Sequence, residues 1–140
     1  MSQGHQIALA AESYVGTPFK HKGRTPGVGL DCVGVVLCAA WSCGLVVPDF
    51  YDYGPMPMAS RLLSELSSRG HMVPHTDMRA GNVMLFGPRK DAPAHFAIYD
   101  GEGRMIHAHE PTGKVVRHHL DRAWATRLHS CWRLTGVADG

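Results

Sequence analysis

The sequence predicts an α+β fold in which helical segments come first and an antiparallel sheet follows. Apolar residues recur at helical spacing in the first half of the chain, whereas the second half contains short apolar runs between Gly- and Pro-containing turns. Helices that precede strands in this way are typical of the α+β class. A length of 140 residues is enough for one hydrophobic core, so we expect a single domain over residues 1–140.

Three segments are predicted to be helical, and the central one is almost entirely apolar. It begins at Asp31, whose side chain is a good N-cap, and Gly44 follows it as a typical residue after a helix. The Gly- and Pro-rich loop before it carries a basic cluster around His21, which we expect to form either a wall of an anionic substrate site or a solvated surface. The predicted helices cover residues 5–15, 31–43 and 58–69.

Five later runs are predicted to be strands of an antiparallel meander, because each is short, apolar and bounded by turn residues. The segment Asp100-Gly101-Glu102-Gly103 is expected to form a tight turn between the second and third of these strands. The predicted strands cover residues 82–86, 94–99, 104–109, 114–120 and 129–134.

The composition argues against several classes of function. A formal net charge of +2 is too small to indicate a nucleic-acid partner. No apolar run approaches ~18 residues, so we expect no insertion into a membrane, and no N-terminal signal segment is recognisable. The four cysteines form no Cys-x-x-Cys pair, which disfavours both a zinc knuckle and a disulfide framework.

Cys32 is placed in the first turn of the central helix, directly after Asp31. Free N–H groups and the helix dipole favour negative charge there, so we expect the pKa of this thiol to be lowered and the thiol to be a usable nucleophile. The alternative is a buried structural cysteine, which is the commoner fate of a free thiol. The residues alone leave both interpretations open.

A nucleophilic thiol needs a base, and the base needs an orienting partner. His95 and His107 lie on strands that flank the predicted Asp-Gly turn, so a hairpin would bring their side chains to neighbouring positions on one face. His109 has the same strand parity as His107 and competes for the orienting role. A zinc site formed by these three histidines is a further alternative, although it leaves Cys32 unexplained.

Short motifs spread over residues 5–135 together resemble the NlpC/P60 family, the papain-like cysteine peptidases of bacterial cell walls. The loop motif His21-Lys22-Gly23-Arg24 is most similar to the phage-encoded branch, which belongs to the tail tips of phages and gene transfer agents. The motifs that carry the resemblance are Tyr14-Val15-Gly16-Thr17-Pro18-Phe19, Gly29-Leu30-Asp31-Cys32-Val33-Gly34, Ala80-Gly81-Asn82-Val83-Met84-Leu85-Phe86, His95-Phe96-Ala97-Ile98-Tyr99 and Met105-Ile106-His107-Ala108.

The resemblance implies a papain-like fold in which Cys32, at a helix N-terminus, is the nucleophile. It implies that His95 is the base, present as imidazolium beside the thiolate, that His107 is the third polar residue, and that no metal or cofactor takes part. The expected reaction is hydrolysis of an amide bond in peptidoglycan stem peptides, usually the bond between D-glutamate and the diamino acid.

Four further positions are expected to contact the substrate, namely Phe19, His21, Asp31 and Val33. The family commonly has Tyr at the position of Phe19, with its hydroxyl near the oxyanion, and His21 is a candidate replacement for that hydroxyl. The family commonly has a substrate-binding Ser at the position of Val33. These two departures leave the exact bond open.

The phage-like branch also implies a location and partners. We expect a protein made in the bacterial cytoplasm without a signal peptide, incorporated in a phage-like tail with other tail-tip or baseplate proteins, and acting in the periplasm or cell wall of the target cell. Phe19 and Val33 motivate an alternative, a structural tail component with weak or no catalysis.

Overall fold

The computed structural model of the protein describes residues 2–87 and 94–138. Across these ranges the helices are α1 (Gln3–Ser13), α2 (Cys32–Ser42), α3 (Ala59–Ser67) and the one-turn α4 (Arg122–Ala125), with 3₁₀ turns at His75–Asp77 and Glu110–Thr112. The strands are β1 (Arg24–Thr25), β2 (Gly29–Leu30), β3 (Gly70–Val73), β4 (Val83–Phe86), β5 (His95–Tyr99), β6 (Arg104–His109), β7 (Lys114–His119) and β8 (Leu128–Leu134).

Within the described residues, the main sheet has six strands in the order β3-β8-β4-β5-β6-β7, and all neighbouring pairs are antiparallel. One face packs on the helices and forms the larger core, which includes Phe96, Ile98 and Ile106. The opposite face carries a smaller core with Met84, Phe86 and other apolar residues. The prediction of an α+β fold with helices packed on an antiparallel sheet is therefore confirmed.

Helix α2 is buried along most of its length, from Cys32 to Ala40. It is apolar all round because it contacts α1 as well as β5 and β6. Asp31 caps its N-terminus by accepting a 2.8 Å hydrogen bond from the N–H of Gly34. Gly34 allows a close approach, since a Cβ atom there would lie 2.1 Å from the carbonyl oxygen of Gly23.

The loop between α1 and α2 contains the short hairpin of β1 and β2, which the sequence did not predict. Lys22 precedes it with a φ of 61°, in the left-handed region that side-chain-bearing residues rarely adopt. Its backbone N–H donates a 2.8 Å hydrogen bond to the carboxylate of Asp31, and this contact helps to hold the unusual conformation.

The predicted element boundaries are accurate for the later strands and less so for the helices. Each of β4 to β8 agrees with its predicted run to within one residue at either end, whereas α1 lies two residues earlier and α3 ends at Ser67. Strand β3 was not predicted, because His71 and Met72 are both exposed and give no apolar alternation. In the described ranges, no helix has both the length and the apolar character needed to cross a bilayer.

Candidate active site

A cleft of about 300 Å³ opens where the N-terminus of α2 meets the start of β5 and the end of β6. Because β5 and β6 are antiparallel, these two strand ends lie at the same edge of the sheet. Cys32 and His95 both line this cleft. The remaining lining residues are Phe19, His21, Asp31, Tyr53, Pro55, Met56, Pro57, Ala94, Ala108, His109, Glu110, Pro111, Trp124 and Arg127.

Cys32 is the first residue of α2 and is 9% exposed. Contrary to the expectation of a lowered value, burial and the charge of Asp31 raise the pKa of this thiol to about 12. The backbone N–H groups of Phe96 and Val33 lower this pKa by hydrogen bonding, but they do not offset desolvation. The prediction of a lowered pKa was wrong because the helix N-terminus is only one contribution among several.

His95 is held by His107, with 2.6 Å between Nε2 of His95 and Nδ1 of His107. The sequence left open whether His107 or His109 makes this contact. Nδ1 of His109 instead contacts the hydroxyl of Thr112 at 2.5 Å. The structure therefore brings His107, and not His109, into hydrogen-bonding distance of His95.

The histidine contacts continue beyond His107. Nε2 of His107 lies 2.7 Å from Nε2 of His118, and Nδ1 of His118 lies 2.9 Å from the carbonyl oxygen of His119. We call the three rings of His95, His107 and His118 the histidine chain. The indole of Trp124 lies against all three rings, with centroid distances of 5.1–6.0 Å.

The inner histidines of this chain strongly favour their neutral forms. Burial, together with the positive charges of His109 and Arg127, lowers the pKa of His95 to about 3. Burial and the neighbouring imidazoles lower the pKa of His107 to about 2. Burial thus raises the pKa of Cys32 and lowers that of His95, so it favours a neutral thiol and a neutral imidazole, whereas the resemblance implies a pair of thiolate and imidazolium.

The zinc alternative does not match the observed ring geometry. Both nitrogens of His107 face other imidazole nitrogens at hydrogen-bonding distance. Among residues 2–87 and 94–138, no group of three His, Cys, Asp or Glu side chains is arranged to hold a metal ion.

Asp31 lines the cleft, but its carboxylate is fully engaged within the protein and only 3% of the residue is exposed. Oδ1 accepts hydrogen bonds from Nη1 of Arg24 at 2.9 Å and from the N–H of Gly34 at 2.8 Å. Oδ2 accepts from the N–H of Lys22 at 2.8 Å and from the hydroxyl of Tyr53 at 2.5 Å. This geometry supports a structural role for Asp31 at the base of the cleft.

The other residues expected to contact substrate are divided between two places. Phe19 and His21 line the cleft, and the ring of His21 packs edge-on against Tyr53 at 5.6 Å. Val33 is fully buried and lines a different, small cavity with Val36 and other residues, so the structure separates it from the cleft. The reason is that the side chains of successive helical residues point in different directions.

The basic cluster in the loop before α2 does not form a wall of the cleft, which was one of its two predicted roles. Of the basic cluster in the loop before α2, only His21 lines the cleft. The guanidinium of Arg24 is largely buried and pairs with Asp31 and Asp49. It therefore stabilises the loop from inside.

The cleft residues that the sequence did not single out include Tyr53, Trp124 and Arg127. The sequence also did not single out His118, which lies behind the cleft. Tyr53 lies in an irregular segment, and Trp124 and Arg127 lie in and just after the one-turn helix α4, so no periodicity marked them. Alternation along β7 predicts that His118 and His119 face opposite sides of the sheet. This alternation does not predict that His118 contacts His107.

Comparisons with known proteins agree with this architecture. A model of the NlpC/P60 family matches residues 16–133. The tail tip assembly protein K of Escherichia phage lambda is 31% identical over 106 residues, which are 74% of this chain and 53% of that protein. A probable endopeptidase of Mycobacterium tuberculosis is 31% identical over 102 residues, which are 73% of this chain and 22% of that protein.

The fold is similar to the solved structure of the peptidoglycan hydrolase RipB from Mycobacterium tuberculosis, with a TM-score of 0.68. The match covers 94% of this chain and 64% of the RipB chain. The identity is 21%, so this match shows the fold. The chain spans about half the length of the phage relative and less of the mycobacterial one. Because the family model covers most of the sequence, the protein belongs to the NlpC/P60 family.

Proposed function

We propose that this chain is a cysteine peptidase that hydrolyses an amide bond in the stem peptides of peptidoglycan. The observation that carries the proposal is that His95 lines the same cleft as Cys32, the first residue of α2, and is held by a 2.6 Å contact to the buried His107 behind it. A nucleophile, a base and a group that orients the base form the arrangement required for covalent catalysis.

In the first step, Sγ of Cys32 attacks the carbonyl carbon of the scissile amide while His95 accepts the thiol proton. Because burial favours the neutral form of both groups, this proton moves as the carbon–sulfur bond forms. The N–H of Cys32 lies in the first turn of α2, where backbone donors have no helical partner, and it stabilises the oxyanion.

The tetrahedral intermediate then collapses to an acyl-enzyme. The carbon–nitrogen bond breaks, and His95 returns its proton to the leaving amine. Water next attacks the thioester carbonyl as His95 removes a proton from it. Release of the carboxylic acid and return of that proton to sulfur restore the resting thiol.

The substrate class and the biological setting come from the relatives. Mycobacterial relatives are named as endopeptidases and as a peptidoglycan endopeptidase, which supports peptidoglycan as the substrate. Within the stem peptide, the bond between D-glutamate and the diamino acid is the proposed target. The likeness to a tail tip assembly protein supports a role in a phage-like tail, where the chain would act as one domain on the wall of the target cell.

The test is mass spectrometry of fragments released from a defined peptidoglycan preparation. The wild-type protein is expected to release peptides with one new amine and one new carboxyl group, whereas Cys32→Ala releases none. Cys43→Ala is the matched control, because Cys43 lies at the other end of α2 and does not line the cleft. An intact wall after treatment with the wild-type protein, under conditions in which a related peptidase digests it, would refute the proposal.

A second candidate function is a structural tail component that keeps the fold without the activity. The raised pKa of Cys32 and the absence of a hydroxyl at Phe19 in the cleft favour it. Alkylation by iodoacetamide separates the two. A catalytic pair predicts that His95→Ala slows alkylation of Cys32, whereas a structural cysteine reacts at the same rate with and without His95.

A further inference from the structure

The histidine chain ends on a group whose hydrogen-bonding role is fixed. A backbone carbonyl oxygen only accepts, so Nδ1 of His118, 2.9 Å from the carbonyl oxygen of His119, must carry a proton. A neutral His118 then has an unprotonated Nε2. That nitrogen faces Nε2 of His107 at 2.7 Å, and it accepts a hydrogen bond from it.

The same argument applies to the next two members of the histidine chain, His107 and His95. A neutral His107 that donates from Nε2 has an unprotonated Nδ1, which accepts from Nε2 of His95 at 2.6 Å. A neutral His95 that donates from Nε2 has its lone pair on Nδ1. The proton on His118 thus determines which nitrogen of His95 is basic.

We propose that His118 is a positioning residue that fixes the tautomer of His95, so that Nδ1 is the unprotonated nitrogen available to Cys32. This inference rests on the peptidase function proposed above. It assigns to β7 a fourth member of the proposed catalytic arrangement, one that acts through His107 and touches neither the substrate nor Cys32.

The surroundings of the histidine chain favour these hydrogen bonds over alternatives with water. His107 is fully buried, so water does not compete for its two nitrogens. Trp124 packs against the rings of all three histidines and excludes solvent from one side. In such a place an unmade hydrogen bond is costly, so each ring follows the tautomer of its neighbour.

Removal of the acceptor at position 118 releases the constraint. In His118→Leu, Nε2 of His107 loses its acceptor, and His107 is free to place its proton on Nδ1. His95 would then accept at Nε2 and carry its proton on Nδ1, where it no longer serves as a base. His118→Gln is the matched variant, because its side-chain oxygen is able to accept from His107 with a similar volume.

The first measurement is kcat/KM on peptidoglycan fragments. His118→Leu is expected to lower it by about 10- to 100-fold, by analogy with the loss seen when the outer hydrogen-bond partner of a metal-ligating histidine is removed. His118→Gln is expected to recover most of this loss. His75→Leu, an exposed histidine in a 3₁₀ turn, is the control for the substitution itself. Equal losses in the Leu and Gln variants would mean that His118 only fills space, and the proposal would be overturned.

The second measurement reads the tautomers without any activity. Long-range ¹H–¹⁵N correlation spectra of the wild-type protein near neutral pH are expected to show His95 and His107 protonated at Nε2 and His118 at Nδ1. A wild-type His118 protonated at Nε2 overturns the proposal. Expected tautomers in a wild-type protein that cuts no peptidoglycan would refute the peptidase function while leaving His118 as the residue that fixes them.

Discussion

Replacement of Asp31 by Asn tests whether this carboxylate holds the cleft together. Four donors point at its two oxygens: two backbone N–H groups, the guanidinium of Arg24 and the hydroxyl of Tyr53. An amide offers one acceptor oxygen in place of two, so two of the four donors lose their partner. Asn keeps the ability to cap α2, which isolates the effect of the lost charge.

The expected loss of stability follows from these contacts. Removing one partner of a buried ion pair costs about 3–5 kcal/mol. Arg24 retains its contacts with Asp49 and the carbonyl oxygen of Phe50, so we expect the lower end, about 3 kcal/mol. For a chain of this size, the unfolding free energy falls by about 2 kcal/mol per molar urea, so the unfolding midpoint should fall by about 1.5 M.

Asp49→Asn is the matched control, because Asp49 binds the same guanidinium from a side chain that is 25% exposed. The unfolding free energy of Asp49→Asn should fall by about 1 kcal/mol or less. Equal effects of the two substitutions would refute the reasoning. A second readout has the opposite sign: the charge of Asp31 raises the pKa of Cys32, so Asp31→Asn should lower this pKa and speed alkylation at fixed pH.

Three more predictions concern the cleft and its support. Phe19→Tyr should raise kcat by about tenfold, since a hydroxyl bonded to the oxyanion is worth about 1.4 kcal/mol, and an unchanged kcat would contradict this role. Gly34→Ala should lower the unfolding free energy by about 2 kcal/mol despite the better helix propensity of Ala, because its Cβ would meet the carbonyl of Gly23, and an increase in the urea midpoint would contradict it. Because the folded-state pKa values of His95 and His107 lie well below 6.5, the unfolded chain binds more protons as the pH falls. From pH 7 to pH 4.5 each histidine should lower the unfolding free energy by about 2.5 kcal/mol, about 5 kcal/mol together, whereas a flat urea midpoint would contradict those shifts.

Local pattern was sufficient for the elements that carry the candidate site. Strand β6 was predicted with its observed bounds, because a short run containing apolar residues lies between a Gly-rich turn on one side and a Pro-containing turn on the other. The cap at Asp31 and the start of α2 were predicted from residue types alone. The contact between His95 and His107 follows from the hairpin that joins their strands.

The rest depends on contacts between distant segments. The pKa of Cys32 could not be predicted from a helix N-terminus, because the burial and the charge that raise it come from the packed cleft. The hydrogen-bonded environment of Asp31 could not be predicted, since nothing local shows that Tyr53, 22 residues later, donates to it. His118 joins the histidine chain only through the packing and register of β6 and β7, in which Met105 pairs with His118.

The packing of Trp124 on the histidine chain also provides an optical signal. Indole fluorescence is quenched more strongly by an imidazolium than by a neutral imidazole, and this indole contacts several imidazoles at once. The other two tryptophans, Trp41 and Trp132, donate their N–H groups elsewhere, to Val47 and Ser130. A protein with Phe at those two positions would therefore report, through its emission intensity, on the protonation of the cleft during turnover.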